Sequence, residues 1–475
     1  MEERETKNKF WKGVLVGALV TAFCGLVMVG MAAGIWLVAT GAGVSRVSEE
    51  QPQDGSKQLD MEKISTKLNY MQSLVDQYYL FDDEDMESVE DWIYTGFIYS
   101  LGDPYSSYYS AEDYASLNED LEGEYCGIGV QVSQNLKTGI ITVVKVFPDG
   151  PAGEAGMLPG DVLYKVGDIL ASGEDLSLLV SEHIKGEEGT TVSLEVYRES
   201  TDEYIQMDVE RRMVENVTVE YDMLENRTGY VAVSSFDEPT AEQFRKAIAD
   251  LESQGMEGLI IDLRNNGGGL VESAEDMADY ILPDGKVVVS FKGKGVPEST
   301  YYSDSENSDG ETETPHQVDV PIVILVNEQS ASASEVFTGA LRDNDWATIV
   351  GTKTFGKGIA QGIFEMADGS ALKLTTAYYY VPSGECIHEV GIEPDLNVDL
   401  NEDLKSMITI PRDQDNQLKA AEDVLLNGLE AAEEHVSESL AAKEPAEAAA
   451  GTDGDGDTAE SEPVGGLQET EPAAE

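Results

Sequence analysis

The segment PIVILVNEQSASASEVFTGAL, residues 321–341, joins an apolar run to a cluster of serines and then to a helical pattern. The run Ile322–Val326 has the length and the β-branched composition of a buried strand. Ser330, Ser332 and Ser334 follow it, separated by alanines. Small polar residues at such a junction either begin a helix or expose a nucleophile.

Both interpretations fit Ser332. With Glu335 it forms the pattern S-x-x-E of a capping box, which closes the first turn of a helix. A helix N-terminus also presents free N–H groups and a dipole that stabilise a developing oxyanion. The two roles are compatible, and the local sequence leaves both open.

Strand-like runs and amphipathic helices alternate around this junction: TGYVAVSSF (228–236), AEQFRKAIADLESQG (241–255), MEGLIIDLR (256–264) and TIVGTKTF (348–355). Such alternation predicts a layered α/β core with a mostly parallel sheet. DLRNNGGGL, residues 262–270, ends one strand in consecutive glycines. Their N–H groups would lie at the carboxyl edge of the sheet, where they could stabilise an oxyanion.

A nucleophilic serine needs a base, and two residues qualify. Lys357 lies in TFGKGIAQ, residues 354–361, and His388 lies near the last core strands. The glycines beside Lys357 would let the backbone pass close to a neighbour and bury the amine, which would lower its pKa. An exposed lysine in a hairpin is the alternative.

Residues 122–212 change to short β-like runs and resemble a PDZ domain. The resemblance rests on GIGV (127–130) and on PDGPAGEAGMLPGDVLYKVGDIL (148–170). PDZ domains bind an extended chain end by β-augmentation. The resemblance therefore implies that the peptide-binding residues are Gly127, Ile128, Gly129 and Val130, although GIGV could also be only the entry to a strand.

Most of the chain resembles the carboxyl-terminal processing peptidases, tail-specific proteases with a Ser/Lys dyad. The motifs are LGDPYSSYYSAEDY (101–114), the PDZ-like block, DLRNNGGG (262–269), NEQSASASEVFTGAL (327–341), TFGKGIAQ (354–361) and GIEPD (391–395). The resemblance covers about residues 61–435. It implies a crotonase-like layered core with an inserted PDZ domain.

The resemblance also implies the catalytic residues. Ser332 would be the nucleophile, Lys357 the general base and Gln361 the residue that orients the lysine, while Gly268 and Ala333 would donate backbone N–H groups to the oxyanion. No metal or organic cofactor is implied. The expected activity is a serine endopeptidase that cleaves proteins after its PDZ domain has bound their apolar C-terminal tails.

Two positions depart from the family pattern. Gly267 replaces the usual proline of the NPGG loop, and Cys126 replaces the usual aromatic residue before GIG.

Two other functions stay open. One is a PDZ scaffold or ligand-binding protein on the same fold without chemistry, and the other is an esterase that pairs Ser332 with His388.

The uncharged segment 13–45 is long enough to span a bilayer and predicts a single transmembrane anchor. A cleaved signal peptide is the alternative. Lys7, Lys9 and Lys12 precede it, so the N-terminus is expected in the cytoplasm and the catalytic domain outside the cell membrane.

The net charge of −62 argues against a nucleic-acid partner. Cys24, Cys126 and Cys386 have no metal-binding spacing.

These patterns predict the following organisation: a cytoplasmic N-terminus (1–12), a transmembrane anchor (13–45), a linker (46–60), a helical region (61–121), a PDZ domain (122–212), a Ser/Lys protease core (213–412), a C-terminal helix (413–436) and an acidic disordered tail (437–475). The helical ends could support a homodimer.

Overall fold

The computed structural model describes residues 59–81, 89–135, 137–147, 150–303, 316–405, 407 and 410–450. The chain divides into two compact units, residues 1–86 and 87–475. The predicted cytoplasmic N-terminus, the anchor and nearly all of the linker lie outside the described residues. Among the helices that are described, none combines the length and hydropathy that a membrane span requires.

The described part of the first unit is helix α1 (Met61–Tyr78), which begins where the Asp60 carboxylate accepts the Lys63 N–H over 3.0 Å. The second unit begins with α2 (Val89–Tyr99), the short strand β1 (Ser107–Tyr109) and α3 (Ala111–Glu122). The predicted helix restart near Ser110 is confirmed, since its Oγ accepts the Asp113 N–H over 3.1 Å. The described residues of α1 are all at least partly exposed.

The PDZ region is a separate lobe with its own apolar core. Its elements are β2 (Glu124–Gly127), β3 (Val130–Gln134), β4 (Ile141–Val146), α4 (Pro151–Glu154), β5 (Val162–Val166), β6 (Ile169–Leu170), α5 (Leu176–Leu179) with a π-helical turn (Val180–Ile184), β7 (Thr191–Arg198), β8 (Glu203–Glu210) and β9 (Arg212–Glu215). The main sheet has the order β3-β4-β5-β7-β8, with β6 on β5. Strands β2 and β9 pair antiparallel, so the chain enters and leaves this lobe side by side, as an inserted domain does.

The protease core is built on a six-stranded sheet. Its strands are β10 (Val219–Met223), β11 (Thr228–Val233), β12 (Gly258–Asp262), β15 (Ile322–Val326), β16 (Ala347–Gly351) and β19 (Leu396–Asn397), in that order. Only the β10–β11 pair is antiparallel. Every residue of β12 and β15 is buried, as expected for parallel strands that are covered on both faces.

Side-chain alternation along these strands separates two apolar layers. Ile322, Ile324 and Val326 face a large cluster with helices α6 (Thr240–Ser253), α7 (Val271–Ile281) and α8 (Ala333–Asp343). Val323 and Leu325 face the opposite cluster, which includes α9 (Asn416–Asn427). The predicted layered α/β core with a mostly parallel sheet is therefore confirmed.

A second, antiparallel sheet packs against the large cluster. It contains β13 (Val287–Gly293), β14 (Ser299–Tyr302), β17 (Ile359–Glu365) and β18 (Ala371–Tyr380), and β1 adds to one edge of β18. β14 lies inside a stretch whose polar sequence gave no sign of a strand. It forms because it pairs with β13 over residues such as Phe291 and Ser299.

The C-terminal region differs from the predicted helix of residues 413–436. It forms two helices, α9 and α10 (Leu429–Ala450), with a break at Gly428, where φ is 86°. α10 also extends into the predicted disordered tail, because alanine and glutamate favour helix. Residues 451–475 of that tail lie outside the described residues.

Candidate active site

Ser330, Ser332 and Ser334, which follow strand β15, have different surroundings. The Ser330 hydroxyl donates to the Leu263 carbonyl over 2.7 Å, and the Ser334 hydroxyl donates to the Asn266 carbonyl over 2.9 Å. Both serines are fully buried. Their hydroxyls therefore attach the loop after β12 to the loop after β15 and to the first turn of α8. Ser332 remains as the candidate nucleophile.

Ser332 is the residue before the first turn of α8, and its backbone is unusual. Its φ is 58° and its ψ is −116°, a conformation that costs a non-glycine residue about 1–3 kcal/mol. Such strain persists only where surrounding contacts enforce it. The next residue, Ala333, begins the helix, so its N–H is among those without an intrahelical partner.

The carboxylate of Glu335 provides one of these contacts. It also accepts hydrogen bonds from residues far outside the local capping box. It accepts the Ser332 N–H over 3.0 Å and the Lys357 N–H over 2.8 Å. It also accepts the Thr354 hydroxyl over 2.5 Å and the Gly356 N–H over 2.8 Å. Burial raises the pKa of Glu335, although these four donors oppose the effect.

Tyr379 provides a matching contact on the carbonyl side. Its buried hydroxyl donates to the Lys357 carbonyl and lies 3.2 Å from the Ser332 carbonyl. The backbones at Ser332 and Lys357 are thus held together through their N–H groups by Glu335 and through their carbonyls by Tyr379. These two residues come from different elements, α8 and β18.

Lys357 lies in the loop between β16 and β17, and the flanking glycines bring that loop close to residues 387–391. A Cβ at Gly358 would lie 2.4 Å from the His388 nitrogen, and one at Gly356 would lie 2.9 Å from the Gly391 nitrogen. Lys357 is consequently half-buried. Burial lowers the pKa of its amine, as the sequence pattern predicted.

The Lys357 amine does not hydrogen-bond to Ser332 in this structure. Instead, its Nζ lies 5.1 Å from the centroid of the Tyr105 ring. Gln361 is also turned elsewhere, since its amide donates to the Ile359 carbonyl over 3.4 Å and to the Thr375 hydroxyl over 3.3 Å. The three predicted catalytic residues therefore lie on neighbouring backbone without forming a continuous hydrogen-bonded chain.

The loop with Gly268 lies directly against the serine. A Cβ on Gly268 would lie 2.8 Å from the Ser332 Cβ and 3.0 Å from the Ala333 nitrogen, and the φ of Gly268 is 103°. The Gly268 N–H donates to the Asn266 side chain over 2.9 Å. The two predicted oxyanion donors thus flank Ser332, with one of them engaged within its own loop.

His388 is not bonded to Ser332. Its ring lies against Tyr378, with the centroids 5.7 Å apart, and its buried Nδ1 has no hydrogen-bond partner among the described residues. A base for serine must reach the hydroxyl directly or through one water. This geometry gives the Ser332–His388 esterase interpretation no support.

The predicted peptide-binding residues lie at one edge of the PDZ lobe. Gly127 ends β2, Ile128 is buried, and Gly129 has a φ of 73° before β3 begins at Val130. In the described part of the chain, β3 pairs with β4 on one side only and is an edge strand of its sheet. An edge strand can accept an extended chain by β-augmentation.

A cavity of about 1720 Å³ runs from this edge to the core sheet. Its PDZ side is lined by Ile128, Val130, Val132, Phe147, Val180 and Ile184, and its core side includes Asp262, Asn327 and Thr352 near the carboxyl ends of the parallel strands. Cys126 is one of the two positions that depart from the family pattern. The ring of the preceding residue, Tyr125, lies against the following residue, Gly127. A Cβ on Gly127 would lie 2.6 Å from that ring.

Some residues around the lysine were not predicted as part of the site. Tyr105 and Asp103 belong to a motif that was identified only as a family signature, and Glu335 was identified only as a helix cap. The motif LGDPYS could have indicated a turn, because Asp, Pro and Ser are turn residues. Nothing local indicates that this turn lies beside Lys357.

The comparisons with known proteins agree with this architecture. Residues 227–398 match peptidase family S41, and residues 126–209 match the PDZ domain. A probable CtpA-like serine protease of Staphylococcus haemolyticus is 33% identical over 411 residues, 86% of this chain and 77% of the relative. A carboxyl-terminal-processing protease of Synechocystis sp. is 34% identical over 348 residues, 72% of this chain and 78% of the relative.

Among solved structures, a photosystem II D1 C-terminal processing protease is 27% identical and matches 69% of this chain and 86% of its own, with a TM-score of 0.40. The family assignment depends on the sequence relatives. This chain belongs to peptidase family S41, among the CtpA-like, carboxyl-terminal-processing serine proteases.

Proposed function

We propose that this protein cleaves protein substrates through an acyl-enzyme formed on Ser332, with Lys357 as the general base. The observation that carries the proposal is that two side chains each contact the backbones of both residues. Glu335 binds both N–H groups, and Tyr379 contacts both carbonyls. A strained serine at a helix N-terminus and a lysine of lowered pKa are thereby held in one rigid frame.

In the first step, neutral Lys357 takes the proton of the Ser332 hydroxyl while Oγ attacks the scissile carbonyl carbon. The negative charge develops on the carbonyl oxygen, beside the N–H groups of Ala333 and Gly268. Gly268 would have to release Asn266 to donate. The ammonium of Lys357 then protonates the leaving amine, and the C–N bond breaks.

In the second step, water attacks the ester and gives its proton to Lys357. Collapse of the second tetrahedral intermediate returns that proton to Ser332 Oγ and releases the new C-terminal carboxylate. Gln361 would orient the lysine during both steps. Its amide needs to turn from the Thr375 hydroxyl to do so.

The proposed substrates are proteins with apolar C-terminal tails. The support is the apolar lining of the PDZ side of the cavity and the free edge of β3. A tail bound there would extend its chain toward the core sheet.

The catalytic unit is proposed to act outside the cell membrane, anchored by residues 13–45, on a crotonase-like layered core. The charge pattern of the N-terminal sequence supports the anchor. A homodimer is proposed through the helices near the N-terminus. α1 exposes Tyr70 and Met71, and α2 exposes Trp92 and Phe97, which are large apolar surfaces for a soluble domain.

The test uses a purified substrate protein with an apolar tail and a matched protein whose tail ends in aspartates. The wild-type enzyme should cleave the first much faster than the second. Ser332→Ala and Lys357→Ala should both abolish cleavage, while His388→Ala should retain it. Unchanged cleavage by either dyad variant would reject the dyad.

A further inference from the structure

The turn of residues 103–106 reaches the catalytic lysine from the start of the second unit. The Lys357 Nζ lies 5.1 Å from the centroid of the Tyr105 ring. An ammonium within about 6 Å of an aromatic face is attracted by the ring quadrupole. The neutral amine is attracted far less, so this contact distinguishes the two protonation states of Lys357.

Tyr105 is held in place by its own turn. The Asp103 carboxylate accepts the Tyr105 N–H over 3.0 Å and the Ser106 hydroxyl over 2.6 Å. Burial raises the pKa of Asp103, but the donors from Ser106, Thr375 and Tyr105 outweigh it and leave the pKa lowered. An ionised Asp103 thus keeps the turn closed at neutral pH.

The turn is also fixed to β18, the second strand after the lysine loop. The Thr375 N–H donates to the Ser106 hydroxyl over 3.0 Å, and Ser107 pairs with Lys373 across β1 and β18. Thr375 in turn accepts the Gln361 amide. The backbone that carries Tyr105 is therefore anchored to the site through Asp103, Ser106 and Thr375.

Ionisable groups surround Lys357 on every packed element: Asp103 and Tyr105 in the turn, Glu335 on α8, Lys373 and Tyr379 on β18, and His388 against Gly358. Burial and the like charge of Lys373 lower the pKa of Lys357, while Glu335 and Asp103 oppose them. The net result is a lowered pKa, and the Tyr105 ring is a further contact that favours the charged form.

We propose that the ring of Tyr105 holds the Lys357 ammonium in the substrate-free enzyme, and that the amine turns to Ser332 once the ammonium has lost its proton to solvent water. Tyr105 is then a positioning residue that sets the proton affinity of the base. The inference rests on the proposed role of Lys357. It assigns a function to the LGDPYS motif, which the catalytic steps above do not use.

The test measures the proton affinity of Lys357 without catalysis. Full-length protein carrying Ser332→Ala is labelled with acetic anhydride across about pH 6–11, and the Lys357 peptide is quantified by mass spectrometry. Tyr105→Leu keeps the site apolar but removes the ring, so the apparent pKa of Lys357 should fall by about 0.4–1.5. Tyr105→Phe keeps the ring and should match the parent.

A second readout and a matched control complete the design. In the enzyme with Ser332 intact, Tyr105→Leu should move the acid limb of kcat/KM to lower pH, and Tyr105→Phe should not. Tyr164→Leu removes a ring that lies 5.5 Å from the Lys165 amine in the PDZ lobe and should leave Lys357 unchanged. Tyr105→Met repeats the measurement if the leucine variant loses its thermal transition.

An unchanged or raised pKa in Tyr105→Leu and Tyr105→Met overturns the inference, as does an equal fall in Tyr105→Phe. The proposed function fails separately. If Lys357→Ala still cleaves substrate while the labelling shift is present, Tyr105 binds the lysine but the lysine is not the base.

Discussion

The backbone N–H of Lys357 donates to the buried carboxylate of Glu335 over 2.8 Å. Glu335 lies on the helix that begins just after the candidate nucleophile, and Lys357 lies in the loop after the next strand, β16. One side chain thus fixes the position of the base relative to the serine. The side chain that caps the helix is also the one that assembles the site.

Glu335→Gln tests this double role. The amide keeps the shape of the carboxylate but presents an NH₂ group to some of the four donors, so at least one buried hydrogen bond is lost. We expect kcat/KM to fall about 10- to 100-fold and the thermal midpoint to fall with it. Glu328→Gln, at an exposed position of the preceding loop, is the control and should behave as wild type. Full activity of the Glu335 variant would refute the double role.

Gly268→Ala should inactivate the enzyme, because the new methyl group would lie 2.8 Å from the Ser332 Cβ at a φ of 103°. The serine or the loop must move, and either movement separates the oxyanion donors. Gly267→Ala is the matched control, since a Cβ there would have no described residue within 4 Å beyond its two chain neighbours. Steady-state cleavage and thermal unfolding of both variants should differ sharply, and equal behaviour would contradict this account of the loop.

Glu275 should make stability depend on pH. Burial on α7 raises its pKa to about 9, and Glu272, Asp279 and Asp276 add to the effect. The folded protein binds this proton more tightly than the unfolded chain, so its contribution is complete below about pH 4.5 and is lost as pH rises toward 9.

Glu275→Gln removes this loss of stability. The variant should gain stability over wild type between about pH 5 and pH 8, by up to ~3 kcal/mol in denaturant unfolding. Glu242 is exposed on α6, so the difference in unfolding free energy between Glu242→Gln and wild type should be the same at about pH 5 and about pH 8. A Glu275 variant whose advantage does not grow with pH would show that the side chain is ionised in the folded protein.

Val132→Asp should weaken binding of tail peptides, because Val132 lines the PDZ side of the cavity. A buried charge in that groove should raise the Kd of an apolar peptide at least about tenfold, measured by fluorescence anisotropy in the Ser332→Ala background. Ser133→Asp, at the next and exposed position of β3, should change the Kd little. Equal effects of the two substitutions would place the peptide elsewhere.

Much of the core could be predicted because its signals are local. The runs at Ile322–Val326 and Gly258–Asp262 are apolar throughout, and both are buried parallel strands. The Ser110 restart and the Ser332 helix start are short-range patterns, in which each serine pairs with the residue three positions further along the chain. The break at Gly428 had an available signal in its glycine, which favours positive φ.

The rest depends on contacts between distant segments. β1 is a strand of three residues that exists because it pairs with β18, and β14 exists because it pairs with β13. The contact of Tyr105 with Lys357 joins residues that no local pattern relates. The same holds for Glu335, whose cap is visible in the sequence but whose bonds to Gly356 and Lys357 are not.

The most direct test of the central claim is to trap the nucleophile. Wild-type enzyme and Lys357→Ala are treated with a fluorophosphonate that phosphonylates activated serines, and the adduct is located by peptide mapping and mass spectrometry. We predict a single adduct on Ser332 that is lost in Lys357→Ala. An adduct on another residue, or equal modification of Ser332 without the lysine, would contradict the account.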